Sequence, residues 1–253
     1  MMEEQFEKRL IDLANQARMK NIIRYSNFLN LNELHIFHSN LQKFSFVEWK
    51  IFGGYEFAER QIVAFIPDAF CLYTQEKIEF PIATLEIKPC SFRFSDFLTH
   101  RDYLGAVLNL GIQRNQIGDI LAEQGRALLF CKSGIKDLIC QELCRVRHTT
   151  VSVREVQEEN VDISLKKEKI TGSVSSIRLD AVIAQIFPGS RSRLTGMIEA
   201  GKVFVNGKMI LSNGYHLKEG DIVSVRGMGR FQYMGEISKS KKGRILIALE
   251  KYS

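Results

Sequence analysis

The sequence has few prolines and no long apolar run. Its 253 residues include only 4 prolines, which argues against an extended Pro-rich linker. No apolar stretch approaches the roughly 20 residues that a membrane-spanning helix requires. The N-terminal segment MMEEQFEKRLIDLANQARMK lacks the apolar run of a secretory signal and is too acidic for a typical transit peptide. We therefore expect a cytoplasmic protein with no membrane partner.

Signals for metal binding are weak. The five cysteines include no C-x2-C pair, and their odd number indicates free thiols; they are Cys71, Cys90, Cys131, Cys140 and Cys144. Cys140 and Cys144 lie one helical turn apart, and His35 and His38 fall on one face of a predicted helix. Neither pair is accompanied by further ligands in the sequence, so we expect no metal site.

Signatures of catalysis are incomplete. The two glycines at 53–54 are followed by neither G-K-[ST] nor G-x-G-x-x-G, so they are not a phosphate-binding loop. The triplet H-R-D at 100–102 resembles a kinase catalytic loop, but Val107 stands where that loop needs asparagine. We therefore expect no catalytic residue and no cofactor.

Positive charge is concentrated in the last third of the chain. Residues 176–253 contain 13 Lys and Arg against 6 Asp and Glu, whereas the rest of the chain contains 22 against 23. A local basic excess favours a polyanionic partner, because neutralising phosphates releases their counterions. A basic surface that only aids solubility is the alternative.

The first part of the chain predicts an α/β domain over residues 1–75. Apolar side chains recur at helical spacing over residues 3–20. Asn32 is expected to cap a second helix. Residues 46–52 and 61–66 have the composition of strands.

Residues 76–156 predict a second domain with the order strand, helix, strand, strand, helix, strand. The first helix is expected over 96–110, with Ser95 or Asp96 as its cap. This βαββαβ order is typical of a ferredoxin-like sandwich, the fold of RNA-recognition motifs. The third strand, RALLFC, contains only Phe130, whereas those motifs stack bases on several exposed aromatic residues. Base stacking by this sheet is therefore not predicted.

A polar and charged segment, QEENVDISLKKEKITGSVS at 157–175, is the expected linker to a C-terminal domain over 176–253. That domain begins with two short helices. Ser190 is the expected cap of the second helix, whose first turn is Arg191-Ser192-Arg193. A helix N-terminus presents unpaired N–H groups and the positive end of the helix dipole, so two arginines there predict a phosphate site.

Strands follow the two helices. Asn206-Gly207 in KVFVNGKMI predicts a type I′ hairpin turn, and DIVSVRGMGRF predicts a later strand whose glycines permit close backbone approach. The basic side chains carried by these strands are Lys202, Lys208, Arg226 and Arg230.

The ordered set of motifs in this region resembles the RNA-binding module named after ribosomal small-subunit protein four, here called the S-four domain. The matching pieces are R-L-D at 178–180, S-R-S-R at 190–193, G-x-V-x-V-N-G at 201–207, L-x-x-G-D at 217–221 and V-x-V-R-G at 223–227. The resemblance implies an RNA face formed by Arg178, Ser190, Arg191, Arg193, Lys202, Asn206 and Lys208. Asn206 has an alternative role as a turn former. Ser192, Arg226 and Arg230 complete the predicted RNA-binding site.

A wider resemblance covers most of the chain. FGGYEFAERQIVAFIPD at 52–68 and LTHRDYLGAVLNLGIQRNQIGDIL at 98–121 precede the S-four motifs in one order. This arrangement resembles the YlmH family of bacterial proteins, which has cyanobacterial and plastid relatives. The resemblance implies a non-enzymatic protein that binds ribosomal RNA and peptidyl-tRNA on the large ribosomal subunit, and no DNA. It also implies a role in ribosome-associated quality control, where stalled chains receive C-terminal tails.

Two other functions stay open at this point. One is an RNA-modifying enzyme with an unrecognised active site in residues 1–156. The other is a protein scaffold in cell division or photosystem assembly, with which the same family has been connected.

Overall fold

The described residues form three antiparallel sheets and several helices, which confirms the predicted α+β class. The computed structural model describes residues 2–68, 78–91, 97–123, 125–157, 167–240 and 243–252. The chain divides into two units, Met1–Asp162 and Ile163–Ser253. Within the described ranges, no helix is long and apolar enough to cross a membrane.

The first unit begins with a three-stranded sheet covered by helices. Its elements are α1 (Met2–Lys20), β1 (Arg24–Tyr25), α2 (Leu31–Ser39), β2 (Glu48–Phe52) and β3 (Ile62–Ile66). The strand order is β1-β3-β2. Leu10 and Ala14 of α1 and Phe37 of α2 pack with Phe65 in one apolar core. The helix and strands predicted for this part of the chain are therefore confirmed.

The cap of α2 is Asn30 and not Asn32. The Asn30 side chain accepts the backbone N–H groups of Asn32 and Glu33 at 2.9 and 3.1 Å, and the Glu33 carboxylate accepts the Asn30 N–H at 2.8 Å. This reciprocal capping box satisfies donors that the start of a helix otherwise leaves unpaired. The prediction of Asn32 was wrong because the N-x-x-E spacing begins two residues earlier.

A five-stranded sheet and two helices form the rest of the first unit. The elements are β4 (Ile82–Pro89), α3 (His100–Leu108), β5 (Ile117–Glu123), β6 (Arg126–Lys132), α4 (Lys136–Glu142), β7 (Arg145–Val146) and β8 (Thr149–Val156). The strand order is β5-β6-β4-β8-β7. Leu85 and Ile87 of β4 share a buried core with Tyr103 of α3 and Ile139 of α4, so both helices lie on one face. Helix α3 starts later than predicted, and Ser95 and Asp96 lie outside the described residues.

A buried polar network joins the two sheets of this unit. The Asp119 carboxylate, 8% exposed, accepts the Tyr55 hydroxyl at 2.8 Å and the backbone N–H groups of Glu59 and Arg60 at 2.7 and 3.1 Å. The Arg60 guanidinium donates to the carbonyls of Ile117 and Phe28 at 2.9 and 3.1 Å. A buried carboxylate is stable only when its oxygens are paired. The segments at 52–68 and 98–121 therefore contribute to one structural clamp.

The second unit is a six-stranded sheet with two helices. Its elements are β9 (Lys167–Val174), α5 (Leu179–Ile186), α6 (Arg191–Glu199), β10 (Val203–Val205), β11 (Lys208–Met209), β12 (Ile222–Val225), β13 (Gly229–Lys239) and β14 (Ile245–Tyr252). The strand order is β11-β10-β12-β13-β14-β9. Val182 of α5 and Ile198 of α6 pack with Val203, Val223 and Phe231 of the sheet, so the helices cover one face.

The second half of the predicted linker is a strand. Of the segment 157–175, residues 167–174 form β9, which pairs with β14 from Lys167↔Tyr252 to Val174↔Ile245. An edge strand buries only alternate side chains, and here Gly172 and Val174 are the buried ones. Glu168, Lys169 and Thr171 are exposed, and these polar residues suggested a linker. A Cβ on Gly172 would meet the Gln185 side chain of α5 at 2.7 Å, so this glycine permits the close approach of the helix.

Candidate RNA interface

Arg178 lies at the start of α5, as predicted, but its guanidinium is already paired. It donates to both carboxylate oxygens of Asp180 at 3.1 and 3.0 Å. Asp180 also lies in the first turn of α5, where a negative charge complements the helix dipole. The R-L-D motif therefore forms a local ion pair at the helix start, and an RNA phosphate would have to compete with Asp180 for Arg178.

The first turn of α6 presents exposed arginines. The Ser190 side chain accepts the backbone N–H of Arg193 at 3.3 Å, which confirms Ser190 as the cap. Arg191, Ser192 and Arg193 are all exposed, while Leu194 is buried in the core. The cap and the buried leucine fix the helix start, so both guanidinium groups extend from a firmly placed turn. Such a turn combines helix N–H donors with positive charge, which is the chemistry of a phosphate site.

Asn206 holds a hairpin to the strand that follows. Its φ of 49° and that of Gly207, 76°, are the two left-handed positions of a type I′ turn, as predicted. The Asn206 amide donates to the Asp221 carboxylate at 2.8 Å, and its oxygen accepts the Ile222 N–H at 2.9 Å. Asp221 also accepts the Lys218 N–H at 2.8 Å. The V-N-G and G-D motifs therefore form one structural staple, which favours the turn-former role left open for Asn206.

Three predicted cations, Lys202, Arg226 and Arg230, are neighbours on the sheet face opposite the helices. The Arg226 N–H donates to the Lys202 carbonyl at 2.9 Å, which continues the pairing of β10 with β12. The Arg226 guanidinium lies 5.8 Å from the centre of the Phe204 ring. Phe204 pairs with Ser224, and Ser224 pairs with Arg230, so strand alternation directs these side chains to one face. The sequence predicts Lys202, Arg226 and Arg230 as separate RNA-binding residues, and the structure brings them together in one row.

Lys208 is directed away from that row. It pairs with Val205, whose buried side chain belongs to the core under the helices. Opposite residues of an antiparallel pair extend to the same face, so Lys208 lies on the helix side of the sheet. Among the ten predicted residues, Lys208 therefore lies on the helix side of the sheet together with Arg191 and Arg193. Lys202, Arg226 and Arg230 lie on the opposite face.

The central sheet of the first unit is closed to base stacking at Phe130. This ring is fully buried and stacks on Tyr55, with ring centres 4.9 Å apart and planes at 28°. Gly54 lies so close that a Cβ there would meet the ring at 2.4 Å. The N-terminal part of the unit therefore covers the position where RNA-recognition motifs expose an aromatic residue, in agreement with the sequence prediction.

The same sheet face carries a carboxylate surrounded by cations. Glu86, 5% exposed, contacts Lys88 at 2.8 Å, Arg154 at 2.7 Å and Arg126 at 3.7 Å. Burial raises the pKa of Glu86, but hydrogen bonds from Lys88 and Arg154 outweigh it and leave the pKa below its usual value. The carboxylate is therefore ionised at neutral pH and holds its three cations in place.

Comparison with known proteins identifies the class of the C-terminal module. The sequence profile of the S4 domain, the module called S-four above, matches residues 177–223. These residues include both helices, the hairpin and the start of the following strand. The protein is therefore an S4-domain protein, as the motifs predicted.

Two further profiles match the first unit. The profile described as "YlmH, N-terminal" matches residues 2–69, and the one described as "Putative RNA-binding domain in YlmH" matches residues 75–160. The chain belongs to the YlmH family, with the N-terminal, central and S4 domains in that order. The family resemblance drawn from the sequence is confirmed.

Two relatives extend the comparison. The chain is 29% identical over 203 residues to "Ribosome-associated protein quality control protein P2" of Bacillus subtilis (strain 168), which covers 79% of this chain and 76% of that protein. It is also similar in structure to "Cell division protein ylmH from Streptococcus pneumoniae", with a TM-score of 0.51 and 23% identity. That match covers 64% of this chain and 96% of the other, and it shows a shared fold.

Proposed function

We propose that this protein binds structured RNA on the large ribosomal subunit through its S4 domain and acts in ribosome-associated quality control. In this function it holds peptidyl-tRNA beside ribosomal RNA while a stalled chain receives its C-terminal tail. The protein contributes binding and no bond-breaking step. The Bacillus subtilis relative and the matching S4 domain support this proposal.

The first turn of α6 is the observation that carries the proposal. Arg191 and Arg193 are exposed on a turn whose position is fixed by the Ser190 cap and by buried Leu194. Phosphate groups are recognised by arginine forks and by helix N-termini, and here both are in one place. Because the turn is already fixed, binding does not have to order its backbone.

The remaining predicted residues divide by role in this proposal. Lys202, Arg226 and Arg230 form a second contact row on the sheet face opposite the helices, while Ser192 and Lys208 give peripheral contacts. Ser190 and Asn206 act through the structure, because their side chains already cap a helix and staple a hairpin. Arg178 contacts RNA only by exchanging its bond with Asp180.

We also propose that the central domain is a ferredoxin-like sandwich that supports the S4 domain without stacking bases. In the element order strand, helix, two strands, helix, strand, the sheet order β5-β6-β4-β8 places the first strand between the third and the last. This is the arrangement of a split βαβ fold. The division into domains at 1–75, 76–156 and 176–253 is part of this proposal, with β9 added to the last domain.

Co-sedimentation with ribosomes tests the function. The tagged full chain and its Arg191→Glu/Arg193→Glu variant are run through gradients of bacterial lysate at low and high salt. We expect the native chain to migrate with large subunits in a salt-sensitive manner and the variant to stay at the top, because phosphate contacts set both affinity and salt dependence.

A matched variant controls for charge alone. Lys169→Glu/Lys239→Glu makes the same change of charge in β9 and β13 of the same unit, at two exposed positions outside the predicted site. We expect this variant to co-migrate as the native chain does. Native protein that stays at the top of the gradient at low salt would overturn the ribosome proposal.

A further inference from the structure

A groove beside α3 in the central domain carries three arginines that the S4 site does not use. It has a volume of about 590 Å³ and lies between α3 and the short hairpin of β7 and β8. Arg101 borders it from the first turn of α3, and Arg145 and Arg147 border it from the hairpin. All three are exposed. The groove therefore gathers positive charge from two separate elements.

The carboxylates of the groove neutralise only part of this charge. Asp102 contacts Arg147 at 3.6 Å, but its carboxylate already accepts the backbone N–H and the hydroxyl of Thr99 at 2.8 and 2.7 Å. Glu142 also lines the groove. No salt bridge joins Arg101 or Arg145 to a carboxylate in the part of the chain that the structure describes. At least two guanidinium groups are thus available to an external anion.

The shape of the groove indicates which part of a nucleic acid fits. Its helix wall is low, because Gly105 and Ala106 line it and a Cβ on Gly105 would meet nothing within 4 Å. None of the described residues that line it is aromatic, so it has no surface on which a base could stack. Arginine forks and a low wall suit a sugar-phosphate backbone that lies along the helix.

The tight turn of the hairpin positions Arg147. This residue has a φ of 52° and occupies the first position of the two-residue turn between Val146 and Thr149. Two-residue hairpin turns require a left-handed backbone at this position, so the φ follows from the turn itself. The turn brings Arg147 to the same groove as Arg145 of β7.

We propose that this groove is a second RNA contact, which binds the phosphodiester backbone through Arg101, Arg145 and Arg147. The inference rests on the proposed RNA-binding function and extends it to a second part of the chain. Asn109, at the C-terminal end of α3, lines the same groove and supplies an amide for a phosphate or ribose oxygen.

Salt-dependent binding of the full chain to purified large ribosomal subunits tests the groove. In the variant Arg101→Gln/Arg145→Gln/Arg147→Gln, we expect the slope of log affinity against log salt to fall by about 2–3, since each lost phosphate contact removes about 1. The matched control is Lys8→Gln/Arg9→Gln/Lys20→Gln, which removes three exposed charges from α1 of the same unit. We expect its slope to equal that of the native chain.

A second pair of variants guards against misfolding. Gly105→Glu places a carboxylate in the groove at an exposed helical position with free space, and Gly105→Ala is its fold control. Both substitutions favour the helix over glycine. We expect Gly105→Glu to weaken binding about tenfold, as one lost charged contact does, and Gly105→Ala to bind as the native chain does.

The outcomes separate this proposal from the function on which it rests. An unchanged slope in the arginine variant, with binding still lost in Arg191→Glu/Arg193→Glu, would overturn the groove and leave the S4 site standing. An equal loss in the α1 control would also overturn it, as a general effect of charge. Native protein without salt-dependent binding would overturn both proposals.

Discussion

Replacing Asn206 separates its structural role from RNA contact. The Asn206→Gly variant keeps the left-handed backbone of the turn without strain, because glycine has no Cβ. It loses the amide donor to the Asp221 carboxylate and the acceptor for the Ile222 N–H. A hydrogen bond to a charged group contributes about 1.5–3 kcal/mol and a neutral one about 0.5–1.5 kcal/mol. Because Asn206 itself is exposed, we expect a loss near the lower end, about 2 kcal/mol.

The Asn206→Ala variant adds a backbone cost to this loss. Alanine at a φ of 49° is disfavoured by about 1–2 kcal/mol relative to residues that adopt the left-handed region freely. The two variants lose the same hydrogen bonds, so the difference between them measures the strain of the turn. The order of stability is therefore expected to be native, Asn206→Gly, Asn206→Ala.

Hydrogen exchange of the full chain measures the local stability of the native protein and of these two variants. The amides of β10 and β12 lie beside the staple, and about 2 kcal/mol corresponds to roughly 30-fold faster exchange. Affinity of the folded variants for large ribosomal subunits is measured in parallel, and we expect a much smaller change in it. Unchanged exchange together with lost RNA affinity would refute the staple and make Asn206 a direct ligand.

Three further predictions concern the first unit. Tyr55→Phe removes the hydroxyl that donates to buried Asp119, so urea unfolding followed by fluorescence of Trp49 should show a loss of about 1–2 kcal/mol; an unchanged midpoint would argue against the clamp. Phe130→Ala should destabilise the same unit by about 3–5 kcal/mol, with RNA affinity of the folded protein retained; selective loss of RNA binding would instead mean an exposed stacking ring. The pKa of Glu86 is lowered in the folded state, so the stabilisation from its ionised carboxylate is present above the unfolded pKa and is lost as pH falls through the folded pKa. The Glu86→Gln variant should therefore lose less stability on acidification than the native chain. Thermal melts across that pH range test this prediction.

Local patterns in the sequence predict the two helices and the first hairpin of the C-terminal domain. The prediction of one strand over DIVSVRGMGRF was wrong, because a turn divides that segment into the antiparallel strands β12 and β13. Asn206-Gly207 specifies its turn through the two residues themselves, and Ser190 specifies the start of α6 through the next three residues. Such signals do not depend on distant contacts. For the same reason, the position of Arg191 and Arg193 in the first turn of α6 follows from the sequence alone.

Long-range contacts account for most of what the sequence did not reveal. Asp119 meets the Tyr55 hydroxyl across 64 residues, and the burial of Phe130 depends on that same ring. Strand β9 looks like a linker because it is an edge strand whose residues Glu168, Lys169 and Thr171 are exposed. The sheet row of Lys202, Arg226 and Arg230 required the register of three strands, which composition does not supply.

Local signals in the sequence could have prevented the wrong predictions of two helix caps. The N-x-x-E spacing at 30–33 and the T-x-x-D spacing at 99–102 are both capping signatures. In each case the prediction fell on a nearby residue of similar type instead of the one that completes the box. Spacing, and not residue type alone, decides the cap.

Ultraviolet cross-linking of the full chain to purified large ribosomal subunits tests the central claim most directly. Peptides that carry cross-linked RNA are identified by mass spectrometry at low salt. We expect cross-links in residues 176–230, with the segment around Arg191 and Arg193 among them. Cross-links confined to the first unit, or none above a control without irradiation, would contradict the assignment of RNA binding to the S4 domain.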